Sequence, residues 1–233
     1  MSYSYSRGLS WPVLLFVIVL VLILGGIVSP LFFSRKMGPH DLAKAAKNAG
    51  SVSASLLEFK RQKGFYPDQR TREMLLDDGV TDLSEGDDAN AYLSQLLAAK
   101  IIDNEEVFYT PNREGFQYGD NDTDFPDLLS PGENGFAYIM AESGEALNGG
   151  SDSMPLILAP VIRGGRDPRF DSEPYGGRFV YGKADGSVSM GKIAEDGTPM
   201  PIDGVPLFET GPGTVWGDQV PVVKMPLNNS NAP

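Results

Sequence analysis

DLAKAAKNAGSVSASLLEFKRQKGFYPD occupies residues 41–68 of a 233-residue chain. Leu42, Ala46, Ala49, Val52, Leu56 and Phe59 recur in it at spacings of three and four. That period puts them on one stripe of an α-helix, expected from Asp41 to Lys63. Asp41 suits the N-terminal N–H groups, and Lys60, Arg61 and Lys63 suit the C-terminal end of the dipole. Gly64 stops the helix. The first half of the stripe is small side chains, which let a sheet or another helix approach closely.

Toward the N-terminus, Gly38-Pro39 marks a kink. No charged side chain stands between Arg7 and Arg35, and the gap holds a 23-residue apolar run from Trp11 to Phe33. As a helix it would span about 35 Å, against roughly 30 Å of bilayer hydrocarbon. A cleaved secretory signal has a shorter apolar core and a small-residue cleavage site, neither of which is found here. The expectation is therefore a single-pass inner-membrane protein whose C-terminal part is periplasmic or at the cell surface. Arg7 on one side and Arg35-Lys36 on the other leave the positive-inside rule nearly balanced.

Toward the C-terminus, residues 65–88 read as an irregular connection. A second helix follows, ANAYLSQLLAAK from Ala89, with Asp87 or Asp88 as its cap. The period then changes. Residues 106–110, 135–141, 155–162 and 178–182 read as short strands, and Asp185-Gly186 signals a hairpin. The tail from Glu195 shows little periodicity. The expected class is α+β: an N-terminal transmembrane helix continuing into an amphipathic helix packed on a small antiparallel sheet. The expected organisation is a leader-like segment at 1–8, the transmembrane helix at 9–34, the amphipathic helix at 35–64 and an acidic head at 65–233.

Composition narrows the chemistry. The chain has no cysteine and one histidine, His40. Thiol catalysis, disulfides, Cys-ligated metals and multi-histidine sites are excluded. His40, at a helix start, is expected to be exposed or capping. With 31 acidic and 19 basic residues, the net charge of −12 argues against nucleic acid as a partner. The charge is divided: residues 35–63 hold seven basic and two acidic side chains, while 64–233 hold 11 basic and 29 acidic. A basic stretch below an acidic globule is either a solvated helix face, or a surface for anionic lipid or for acidic heads of neighbouring copies. GDNDTDFPD, residues 119–127, sets Asp120, Asp122 and Asp124 at alternate positions. They form either a solvated acidic loop or part of a calcium site, since calcium takes about six to eight oxygens. The run lacks the glycine and distal glutamate of an EF-hand. No catalytic constellation and no certain cofactor is expected.

An apolar run leading into an amphipathic helix and then a small sheet resembles the type IV pilin and type II secretion pseudopilin family. Ser6-Arg7-Gly8 precedes the apolar run, as a basic residue and glycine precede the prepilin peptidase cut there. The resemblance implies processing between Gly8 and Leu9, which puts Pro30 where many pilins carry a proline that bends the long helix. Gly64-Phe65-Tyr66-Pro67 is similar to the family's entry into the head, and RFVYGKADGSV (178–188) to the hairpin of its larger members. Leu9 and Val13 depart from the family's usual phenylalanine and glutamate. Implied are a non-enzymatic subunit, other pilin or pseudopilin subunits, the inner-membrane assembly machinery and membrane lipid as partners, and calcium in a head loop. The alternative is a single-pass anchored ligand-binding or carboxylate-based glycan-active module.

Overall fold

The computed structural model describes Trp11 and residues 39–81, 83, 86–111, 116–120, 128–147 and 150–228. The chain divides into two compact units, Met1–Lys36 and Met37–Pro233. The second unit begins with α1, Pro39–Lys63. The buried stripe of this helix is Ala45, Ala49, Val52, Leu56 and Phe59, each with no exposed surface. Leu42 and Ala46 are only half-buried against it. The true stripe keeps intervals of four, three, four and three, so Ala45 takes the place expected of Ala46.

Beyond Gly64 the connection is not irregular. It holds α2, Gln69–Asp77, opened by a reciprocal cap. The Asp68 carboxylate accepts from the Thr71 amide at 3.0 Å, and the Thr71 hydroxyl accepts from the Asp68 amide at 2.8 Å. α3 follows at Ala89–Ala98, capped by Asp88. The strand expected at 106–110 is instead a 3-10 turn, Glu105–Phe108, with Asn104 as its cap.

Among the described residues seven strands follow: β1 Ala137–Ala141, β2 Pro155–Ala159, β3 Val161–Arg163, β4 Arg169–Phe170, β5 Arg178–Lys183, β6 Val188–Lys192 and β7 Pro221–Lys224. Five form an antiparallel sheet in the order β6-β5-β2-β1-β7, and β3 pairs with β4 apart from it. The single strand expected over 155–162 breaks at Pro160, which has no N–H for the ladder. β7 lies in the tail that reads as aperiodic; it pairs with β1 from Tyr138↔Lys224 to Ala141↔Pro221.

Glycine sets how closely α1 lies on the sheet. A Cβ at Gly182 in β5 would stand 1.8 Å from the Ser53 Oγ of α1. Gly186, at the β5–β6 turn, has φ +82° and lies beside Ala54 and Leu57. Val188 of β6 reaches Gly50.

Two expectations are corrected. A transmembrane helix running into the head as one single-pass architecture is not what the described residues form: none of their helices is long and apolar enough to cross a membrane. α1 is 25 residues long but carries Asp41, Lys44, Lys47, Glu58, Lys60, Arg61 and Lys63, far too much charge for hydrocarbon. The inner-membrane, single-pass location falls with it. Gly8, Leu9, Pro30 and the apolar run beyond Trp11 lie outside the described residues.

Candidate functional site

The passage Gly64–Asp68 is the structural hub of the head. Gly64 has φ +86°, the left-handed conformation that lets the chain leave α1 sharply. Tyr66 is buried, and its hydroxyl donates to the Ala184 carbonyl at 3.1 Å. The next carbonyl, Pro67, accepts from the buried Tyr138 hydroxyl of β1 at 3.0 Å. Asp68 has no exposed surface. Besides capping α2 it accepts from the Ala146 amide at 3.1 Å and from Arg70 Nε at 2.9 Å. Its carbonyl takes the Gln95 side chain of α3 at 3.0 Å. Five consecutive residues thus tie α1, α2, α3, β1 and the β5–β6 hairpin together. Burial, with the negative Asp152 and Asp185 nearby, pushes the Tyr66 hydroxyl up to about 12. Burial likewise raises Tyr92, Tyr138 and Tyr175.

The basic residues of α1 are partly consumed inside the head. Lys44 hydrogen-bonds the Tyr118 hydroxyl and sits 4.0 Å from that ring's centroid. Tyr118 stacks on Tyr109 with centroids 4.1 Å apart. Lys60 lies 4.6 Å from the Tyr66 ring, and Lys63 pairs with Asp78 at 2.6 Å. These contacts hold loops to the helix and engage three of the basic side chains of α1.

Of the three aspartates of the acidic loop, Asp120 is described; Asp122 and Asp124 lie outside the described residues. Asp120 meets Glu105 and Glu133, with one carboxylate oxygen of each within 4.8 Å of the others. Glu105 and Glu133 are buried. Both Glu133 oxygens accept backbone amides, from Asp120 at 3.2 Å and Ser130 at 2.7 Å. Glu133 therefore splints the two ends of the loop. Among the described residues the cluster brings three carboxylates together, toward the shell of about six to eight oxygens that a calcium ion takes from carboxylates, carbonyls and water. Sequence reading found Asp120 but missed both glutamates, which stand outside the Asp run and come to it only through the fold.

An open cleft of about 410 Å³ lies where β2, β5 and β6 meet the loop 202–215. Tyr181, Lys183 and Ser189 line it from the sheet, and Asp203 and Glu209 from the loop. Asp203 and Gly204 have φ of 51° and 83°, as in the tight turn of a two-residue hairpin closed by Ile202 and Val205. This mix of apolar wall, one cation and two carboxylates offers a polar ligand several hydrogen bonds. In comparisons with known proteins, the chain matches no family model, no curated protein and no solved structure.

Proposed function

We propose that this chain is a non-enzymatic subunit of a pilin- or pseudopilin-type assembly, with the acidic residues 65–233 as its head. One observation carries the reading. The two stretches that resemble that family, 64–67 and 178–188, meet: the Tyr66 hydroxyl is bonded to Ala184 in the turn of the hairpin. The entry passage and the hairpin therefore work as one joint, and a helix pulled from its N-terminus transmits load into the sheet. Such a joint has mechanical value in a subunit handed from partner to partner. Asp68 and the glycine contacts under α1 support the same reading, since they make helix and sheet one body.

The test uses the full chain, expressed beside a pilin-type assembly system. Its intact mass is expected to correspond to a chain beginning at Leu9, and affinity recovery is expected to bring down other pilin-type subunits. A chain that retains residues 1–8 and is recovered alone would overturn the proposal. The cleft beside Lys183 favours a second reading, a ligand-binding module. Under it, a small polar ligand would raise the melting temperature of the protein and Lys183→Ala would abolish the rise.

A further inference from the structure

Arg178 and Lys192 face each other as cross-strand partners of β5 and β6. The Lys192 carbonyl accepts the Met200 amide on the outer side at 2.8 Å. The Arg178–Lys192 pair is therefore of the type that is not hydrogen-bonded to its partner strand, in which side chains stand closest. Like charges placed so destabilise a sheet. Among the described residues neither makes an ion pair. Beside them Met190 is 47% exposed and Met200 44%. With Pro201 and Ile202 these residues line a hollow of about 500 Å³. Two uncompensated cations around two exposed thioethers, in a chain of net charge −12, form a receptor for an apolar, acidic surface.

The chain carries such a surface itself. α2 exposes Glu73, Met74 and Asp77, which share one helix face by their spacing. Met74 is 38% exposed. The two surfaces stand at opposite ends of α1. Gly186 lies beside Ala54 and Leu57, and Val188 beside Gly50, so β6 runs toward the start of α1 and carries Met190 and Lys192 that way. α2 follows the end of α1, where Lys63 holds Asp78. α1 itself, at 25 residues, is about 37 Å long.

We propose that copies of this chain join head to tail, the Arg178–Met190–Lys192–Met200 face of one copy receiving the Glu73–Met74–Asp77 face of the next. Such a contact is heterologous, so each copy keeps one free face at either end and the array extends. For its setting the proposal rests on the assembly reading above; its test needs no assembly machinery, so the two fail separately.

The chain has no cysteine, which makes the test clean. Single-cysteine forms of the full chain, Met190→Cys and Met74→Cys, are mixed under mild oxidation. The mixed product is expected to exceed either same-site dimer about tenfold. A chain carrying both cysteines is expected to give a ladder of higher oligomers. Arg178→Glu with Lys192→Glu abolishes the mixed product. Placing Glu73→Lys and Asp77→Lys on the Met74→Cys copy restores it. Same-site products as abundant as the mixed one overturn the proposal. So does an unchanged yield after charge reversal in a variant with wild-type melting. Should reversal lower melting, Arg178→Gln with Lys192→Gln replaces it. Unchanged yield there is equally fatal, and a fall in yield supports the contact.

Discussion

Asp68 shows how much one residue can carry. Its side chain is inaccessible to water, and its oxygens serve the amides of Thr71 and Ala146 and the Arg70 guanidinium. Asp68→Ala strands two buried amides, and about 3 kcal/mol of stability should be lost. Asp68→Asn keeps an acceptor for Thr71 and should lose less; urea melts of the two variants check the order. Tyr66 gives a pH prediction whose sign is fixed. An unfolded tyrosine loses its proton near 10, whereas burial holds that of Tyr66 to about 12. Between those values the unfolded state binds fewer protons, so stability falls as pH rises through that window. Tyr66→Phe should flatten that fall, read as melting temperature against alkaline pH. Gly64, Tyr66 and Pro67 were legible in the sequence because a turn glycine next to an aromatic and a proline is a local signal. The role of Asp68 was not, because its partner Ala146 lies 78 residues away.

At the scale of elements, α1 was legible nearly to the residue, because its burial has a period. The β5–β6 hairpin was too, because Asp-Gly names its turn. α2 was missed since only Thr71 and Leu75 of its nine residues are buried, and so short a stripe has no readable period. β7 was missed because its side chains alternate only weakly and Gly and Pro flank it. The α1–β5 contact yields a paired prediction. Gly182→Ala would put a Cβ 1.8 Å from Ser53 Oγ and 2.8 Å from Ile157 Cγ1. Lifting α1 off the sheet should cost about 1–3 kcal/mol. Ser53 Oγ is buried and has no hydrogen-bond partner among the described residues. Ser53→Ala should therefore be neutral or stabilising by up to about 1 kcal/mol. The double variant should recover part of the Gly182→Ala loss, because the atom nearest the new methyl is gone. Additive losses in the denaturation cycle would show that Ile157, not Ser53, limits the approach.

For the whole molecule, charge is the quantity the sequence states most completely and the fold then distributes. Residues 64–233 hold 29 acidic and 11 basic side chains. Among the described residues, ion pairs engage Asp68, Asp78, Asp87, Glu142 and Asp167. Lys63–Asp78 and Lys224–Asp87 are pairs of 2.6 Å in which the acid is 62% and 69% exposed. Pairs that wet contribute little. The larger effect is mutual repulsion across an acidic surface, which destabilises the compact state. Screening acts on that repulsion over a Debye length of about 30 Å at 0.01 M salt and about 3 Å at 1 M. Sodium chloride added across that range should raise the melting temperature, by about 3 °C for each kcal/mol of repulsion relieved. The same salt should weaken the head-to-tail contact, which opposite charges hold together. The two responses therefore run in opposite directions on one sample: melting rises while the Met190→Cys/Met74→Cys product declines. Melting that falls with salt would mean that internal ion pairs outweigh surface repulsion. Choline chloride in place of sodium chloride keeps the screening and changes the cation, so an equal rise assigns the effect to ionic strength, while a rise confined to sodium assigns it to ion binding.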